Sequence, residues 1–312
     1  MSLIIKDIAE LRKTVKVSAN VQFDVVEPFI RSARDLFLLR YLGRELIEVL
    51  ESGTVPDRAM ELRNLVQMSL GPLAMWVGAS ELSVRIGDSG MTVENNKDKF
   101  VAASETKITN VTESLERRGF QYLDFVLEYL EKNKDQFPEW TESSYYTIRS
   151  GNYIRSAIQF QELGKVDISY SRLTFESLRP LMSNIEEHYI TDFIGEELDD
   201  TLRLVLDAGQ SDPQKRLIAN IRKFIACKTA ELYTSQASKQ NRTASDLKEY
   251  KPLIRPAYGD ISNTGNFYAE QATYYLGKVQ QTLNKYAVEL GITPVTDAID
   301  FNSDEQHIFF AG

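Results

Sequence analysis

The sequence predicts a mainly α-helical protein of two tandem related modules, the first carrying a β-hairpin. Three observations lead there: a stretch that recurs without a gap, apolar residues at helical spacing along most of the chain, and one short segment that alternates instead. The recurring stretch is Phe23 to Leu50, which returns at an offset of 152 residues as Phe175 to Leu202. Phe23, Pro28, Gly43, Glu45, Leu46 and Leu50 become Phe175, Pro180, Gly195, Glu197, Leu198 and Leu202. Two unrelated amphipathic helices would not hold proline, glycine and the apolar positions in one phase, so we read the stretch as a copied helical unit.

Taken in order, each module opens with a short helix, marked by Ile5, Ile8 and Leu11 in one and Ile154, Ala157 and Phe160 in the other. An extended stretch follows, VKVSA or KVDIS. Phe29, Ala33, Phe37 and Tyr41, matched by Leu181, Ile185, Tyr189 and Phe193, then recur every four residues as one helical stripe that must be buried. A second track, Leu38, Leu42, Leu46 and Leu50 against Ile190, Ile194, Leu198 and Leu202, takes over near the shared glycine. Either the buried face migrates or a new helix begins there. Pro28 and Pro180 are expected at helix starts, where a missing N–H is harmless.

A further helix is expected over Leu62 to Leu73, kinked or broken by Gly71 and Pro72, with a counterpart over Leu217 to Leu232. In 83–95 the string SVRIGDSGMTVEN alternates and turns through glycines, which predicts the hairpin. The second copy has Pro252, Pro256, Gly259 and Gly265 there, a loop pattern. Each module closes on a long helix, from Ile108 to Leu130 and from Ala272 to Leu290. The expected boundaries are 1–135 for the first module, 136–152 for a linker, 153–291 for the second module and 292–312 for a tail.

Composition sets limits on function. The 312 residues, 26% charged and 43% hydrophobic, are ordinary globular material with room for two cores. A single cysteine, Cys227, excludes an intrachain disulfide, and no long apolar run predicts a membrane span or secretory signal. The expectation is a soluble protein of a reducing cytoplasm. A net charge of −9 opposes tight grip on phosphate backbone by the molecule as a whole.

No residue pattern points to catalysis. GDSG at Gly87 to Gly90 resembles a serine-protease nucleophile region, but both histidines, His188 and His307, follow Ser89 and the surroundings are helical. His188 aligns with Leu36, so the repeat demands no imidazole there. Cys227 has no adjacent base and suits close helix packing. Glu196 with Glu197, and Asp199 with Asp200, are successive helical positions that face apart, and a solvated face is the expectation for them. No glycine-rich phosphate cradle occurs. Catalytic, cofactor and metal residues are therefore expected to be none. The candidate interface is Val84, Ile86, Met91 and Val93 on the hairpin and Ile308, Phe309 and Phe310 on the tail, with Tyr145, Tyr146 and Tyr153 of the linker region as further interface tyrosines.

The doubled pattern Phe23-Asp24…Pro28…Tyr41-Leu42-Gly43-x-Glu45-Leu46 and Phe175-Glu176…Pro180…Phe193-Ile194-Gly195-x-Glu197-Leu198 resembles an uncharacterised family encoded in phages and prophages of gut bacteria. At a coarser level each module is similar to the helical head-to-tail connector proteins that form rings beneath a phage portal. The resemblance implies a virion structural protein, assembled in the bacterial cytoplasm, that oligomerises with itself and contacts portal and tail or stopper proteins. DNA would pass through the ring without sequence-specific binding, and no membrane is involved. The other class that the sequence leaves open is a soluble enzyme or ligand-binding helical protein with a cleft between the two modules lined by Arg149, Arg155 and the linker tyrosines. A host-side scaffold is the third.

Overall fold

The computed structural model describes residues 3–18, 20–83, 85–87, 90–92, 105–239 and 264–292. They are mainly helical and fall into two compact units, the first of residues 3–151 with 170–179, the second of 152–169 with 180–239 and 264–292. No helix among the described residues is long and apolar enough to cross a membrane.

The first unit begins with α1 (Ile8–Thr14). Asp7 accepts from the Glu10 N–H at 2.8 Å, satisfying one of the free donors at the helix start, while Glu10 Oε2 accepts from the N–H of Lys6, just before the cap, at 2.7 Å. Next come α2 (Phe23–Ala33), a π-helical segment (Arg34–Leu38), α3 (Leu39–Leu42) and α4 (Arg44–Glu51). Residues four apart drift about 40° per step on an ordinary helix, and the wider π turn takes up that drift. Ala33, Phe37 and Tyr41 thus stay buried together, and Leu38, Leu42, Leu46 and Leu50 with them. Gly43, at φ +79°, separates α3 from α4 in a backbone region that suits glycine. A new helix therefore begins at the shared glycine.

The prolines correct the reading of them as helix starts. Pro28 lies inside α2, and Pro180 inside its counterpart in the second unit. Both are exposed, so each removes one helical hydrogen bond beside solvent, where the freed carbonyl can be hydrated. Gly71 and Pro72 do not break α5 (Asp57–Val77) either. A Cβ on Gly71 would come within 1.8 Å of Thr14 Oγ1, so this glycine is where α1 crosses α5 at close range. Packing of α5 against α2 and α6 (Glu105–Lys132) builds the core, with Phe37, Trp76 and Phe120 meeting ring to ring at 5.4 to 5.7 Å.

Residues 136–152, expected to be a linker, carry α7 (Pro138–Thr141) and α8 (Ser144–Ser150) instead. Trp140 is fully buried and its indole N–H donates to Tyr41 O at 3.0 Å. Ser, Thr and Tyr content suggested a connection, but these side chains cap and pack here, as when Ser143 Oγ donates to Trp140 O.

The expected hairpin over 83–95 is likewise reduced. Glu81–Ser83 is a 3-10 turn, and the described pairing is two three-residue strands, β1 (Arg85–Gly87) and β2 (Gly90–Thr92), antiparallel with Ile86 opposite Met91. Three residue pairs make no sheet of any size, and the architecture is helical. Val84, Val93, Ile308, Phe309 and Phe310 lie outside the described residues, as do Pro252, Pro256 and Gly259.

The second unit opens with α9 (Ala157–Gly164). Ser156 accepts from the Gln159 N–H at 3.1 Å, and Gln159 Oε1 accepts from the Arg155 N–H at 2.9 Å. Then follow α10 (Arg172–Ile185), a π segment (Glu186–Thr191), α11 (Asp192–Ile194), Gly195 at φ +85° and α12 (Glu196–Leu204). Residues of α10 up to Arg179 belong to the first unit, where Asp124 of α6 accepts from Ser171 Oγ at 2.8 Å and from the Leu173 N–H at 3.0 Å. Burial raises the Asp124 pKa against those bonds. The long α13 (Asp212–Lys239) packs on α9 and on α14 (Thr264–Lys285). A Cβ on Gly164 would lie 2.3 Å from Ala226 Cβ, which marks the close crossing of α9 and α13.

Candidate functional site

The residues expected to be landmarks of a repeat pack or cap helices. Leu46, Leu198 and Phe175 are buried, Phe23 packs at the edge of the first core, and Glu45 and Glu197 are exposed in the first turns of α4 and α12, where a carboxylate complements the helix dipole. The tyrosines offered as interface are internal. Tyr145 meets Tyr41 edge to face at 5.8 Å, Tyr146 meets Trp140 at 4.9 Å, and Tyr153 is fully buried. Arg155, offered as a cleft residue, holds Asp207 at 2.5 Å and Asn152 O at 3.2 Å. His188 is exposed. Cys227 is buried against Gly164 O at 3.5 Å, and burial pushes its thiol up to about 12, far from a nucleophile's range.

The densest polar constellation is in the second unit, around the π segment. Glu186 opens that segment and Thr191 closes it. One turn of α12 supplies Asp199 and Arg203, and the chain before α9 supplies Tyr153. Glu186 and Asp199 are 3% and 4% exposed, a depth at which a carboxylate needs partners. Both have them. Glu186 accepts from the Tyr153 N–H at 3.0 Å and from Arg203 Nη1 at 3.2 Å. Asp199 accepts from Arg203 Nε at 2.9 Å, Thr191 Oγ1 at 2.9 Å and Tyr153 Oη at 2.5 Å. The Arg203 guanidinium also lies over the Tyr153 ring at 4.8 Å. Arg222 of α13 completes the surroundings by donating to Tyr153 O at 2.8 Å.

These contacts fix the protonation states. Burial, then the Asp199 hydrogen bond, drives the Tyr153 phenol well above its ordinary pKa, so it is a donor only. Burial tends to discharge Arg203, but Asp199 and Glu186 together outweigh it and raise its pKa. Glu186 is raised to about 7, mostly by burial and partly by the neighbouring Asp199, with Arg203 and the Tyr153 N–H opposing. It is the member of the group that titrates near neutrality. The arrangement clamps the chain before α9, the π segment and α12 together.

A pH dependence follows. Because folding raises this pKa from 4.5 to about 7, the folded state holds the proton more tightly. The stability that Glu186 contributes is therefore present below about pH 4.5 and is lost as pH rises through 7, on the order of 3 kcal/mol in all. Thermal unfolding of wild type and Glu186→Gln at pH 5 and pH 8 should show the wild type losing ground to the variant at the higher pH. An unchanged difference would contradict the raised pKa.

The first unit holds an ion pair of the opposite order. Arg34, which opens its π segment, reaches Glu51 at 3.0 Å, and Glu51 is the last residue of α4. Arg34 and Glu51 stand 152 residues before Glu186 and Arg203. Where an alignment is weighed by identities, a reversed pair counts as two mismatches. Read jointly, the two exchanges are the signal. Asp199, expected with Asp200 on a solvated face, is buried instead: its neighbours Glu196, Glu197 and Asp200 are exposed, and only its place four before Arg203 sets it apart.

Comparison with known proteins adds one likeness. Residues 37–150 match the model of DUF6712, a family of unknown function. The match runs from the first π segment to the end of α8, and so takes in the Trp140 region along with the core of the first unit. No curated protein and no solved structure matches the chain.

Proposed function

We propose that this chain is a non-catalytic virion protein of a phage or prophage, a head-to-tail connector or neck adaptor. It assembles as a homo-oligomeric ring around the DNA channel, needs no cofactor, and meets the portal on one side and tail or stopper proteins on the other. DNA passes through without sequence-specific binding.

The observation that carries this reading is the reversed ion pair, because it supports descent of both units from one duplicated helical module. Exchange of both partners keeps an attraction that either single change would turn into like-charge repulsion. The shared order of helix-start cap, short helix, π segment, positive-φ glycine and following helix supports the same descent. In such a module the chemically richest residues are spent on holding helices. Two related modules in one chain offer similar surfaces in pairs, which suits the heterologous contacts that close a ring. The phage setting rests on the resemblance of the doubled Phe-Pro-Gly-Glu-Leu pattern.

The test is light scattering of the purified chain, alone and with a candidate portal protein, joined to deletion of Arg85–Thr92 in the phage that encodes it. The expected result is a mass several times 35.6 kDa and particles that fail to complete. A chain that stays monomeric with portal present, and whose deletion leaves particles intact, would end the proposal.

A further inference from the structure

Two helix segments that face each other in this acidic chain carry cations and no acid. Asp and Glu make up 45 of 312 residues, yet neither occurs in 213–230 or 271–288. The first of these segments carries Lys215, Arg216, Arg222, Lys223 and Lys228, the second Lys278 and Lys285. They are the facing parts of α13 and α14, joined where Asn220 Nδ2 donates to Thr282 Oγ1 at 3.3 Å. A groove of about 450 Å³ lies along the seam, lined among others by Arg216, Asn220, Lys278, Thr282, Lys285 and Tyr286.

Not every cation here is available. Arg222 is held by Tyr153 O, Lys228 by Glu231 at 3.0 Å and Lys215 by Asp212 at 3.5 Å. Arg216, Lys223, Lys278 and Lys285 have no carboxylate within ion-pair distance among the described residues. Three of them lie beside tyrosine rings instead: Lys223 over Tyr275, Lys278 over Tyr274 and Lys285 over Tyr286, at 5.1 to 5.4 Å. Arg216 and Lys223 are seven residues apart on α13, as are Lys278 and Lys285 on α14, so each pair recurs on one helix face at about 10 Å. That spacing matches three axial steps of 3.4 Å along a nucleic-acid strand.

We infer that the α13–α14 groove is a contact site for the phosphodiester backbone of a nucleic acid. Cations in two rows neutralise phosphates, and adjacent tyrosines, with Tyr274 56% exposed, provide the flat faces on which sugars and bases rest. Backbone contacts carry no base information, so the site holds a strand without reading it. The acidity of the remaining surface confines attachment to the groove and keeps it weak and salt-dependent. The site goes beyond the connector proposal and stands without it, because it needs one unit and no ring.

Fluorescence anisotropy of the full chain with a labelled oligo-dT strand and a labelled mixed-sequence duplex, each at low and high salt, tests it. Binding of at least one should weaken steeply with salt and be insensitive to base sequence. Lys278→Glu with Lys285→Glu should lower affinity at least tenfold, and Lys134→Glu, an exposed cation elsewhere, should not. If the reversed pair disturbs folding by circular dichroism, Lys278→Gln with Lys285→Gln should still flatten the salt slope by about two. Absence of salt-dependent binding to either probe, or binding indifferent to these substitutions, overturns the site. So does displacement of labelled DNA by a polyglutamate peptide as readily as by unlabelled DNA, which would assign the groove to an acidic protein.

Discussion

Arg203→Ala is expected to destabilise the second unit by about 3–5 kcal/mol, because it strands two buried carboxylates whose shared counter-charge it removes. Arg203 bonds Glu186 and Asp199 at once, and both lie almost wholly out of water. Glu186 would answer by taking up a proton, and Asp199 would keep only Thr191 and Tyr153. The protein supplies its own way of locating the damage. Its two tryptophans, Trp76 and Trp140, both lie in the first unit, whereas helical circular dichroism reports on both units. Urea unfolding of Arg203→Ala should move the dichroism transition far more than the fluorescence one. In the first unit the polarity allows a cleaner experiment. Arg34→Glu should destabilise by fluorescence, and Arg34→Glu with Glu51→Arg should recover most of the loss. Absence of coupling in that cycle would mean that the pair is incidental.

The other large effect is expected at the helix crossings. Gly71→Ala places a methyl 1.8 Å from Thr14 Oγ1 and 2.7 Å from Thr14 Cβ, and Gly164→Ala places one 2.3 Å from Ala226 Cβ. Neither neighbour is the free end of a long side chain, so the helices themselves must move apart. Loss of about 3 kcal/mol is expected in each case, at the upper end for overpacking. The partner substitutions separate crossing distance from helix propensity. Thr14→Gly should rescue Gly71→Ala, and Ala226→Gly should rescue Gly164→Ala, although a second glycine in a helix by itself lowers stability. If instead both alanine variants unfold at the wild-type midpoint, the crossings are looser than the geometry describes.

Much of the fold was legible because burial on a helix writes itself at regular intervals. Ala33, Phe37 and Tyr41 and the track from Leu38 to Leu50 are buried as their spacing demanded, whereas of the second stripe only Ile185 is buried and Leu181, Tyr189 and Phe193 are half-buried. What the spacing could not give was the π segment between them, since hydrogen-bond widening leaves no residue signature of its own. Pro28 and Pro180 misled for a related reason: the rule for them describes isolated helices, and here packing on the opposite face carries the chain past an exposed lost bond. Residues 136–152 misled through composition, because Ser143 and Trp140 look like loop residues until a cavity is there to receive the indole. In the site, the individual charges were visible and their pairing was not. Arg34 with Glu51, and Glu186 with Arg203, are contacts across 17 residues that only the fold closes. The cations of the α13–α14 seam were visible one by one, but net charge summed over the whole chain concealed them and only the fold sets the two rows side by side.

The opposite polarity of the two ion pairs has a consequence for biosynthesis. A polypeptide with two alike helical segments is at risk of seating one in the other's berth while it matures, since the apolar tracks would accept the exchange. Electrostatics disfavours it. With the π segment of one unit lodged against the fourth-helix position of the other, Arg34 would confront Arg203 and Glu51 would confront Glu186, so that two attractions give way to two like-charge meetings at positions largely shielded from water. The inverted charges thus favour seating each segment in its own place.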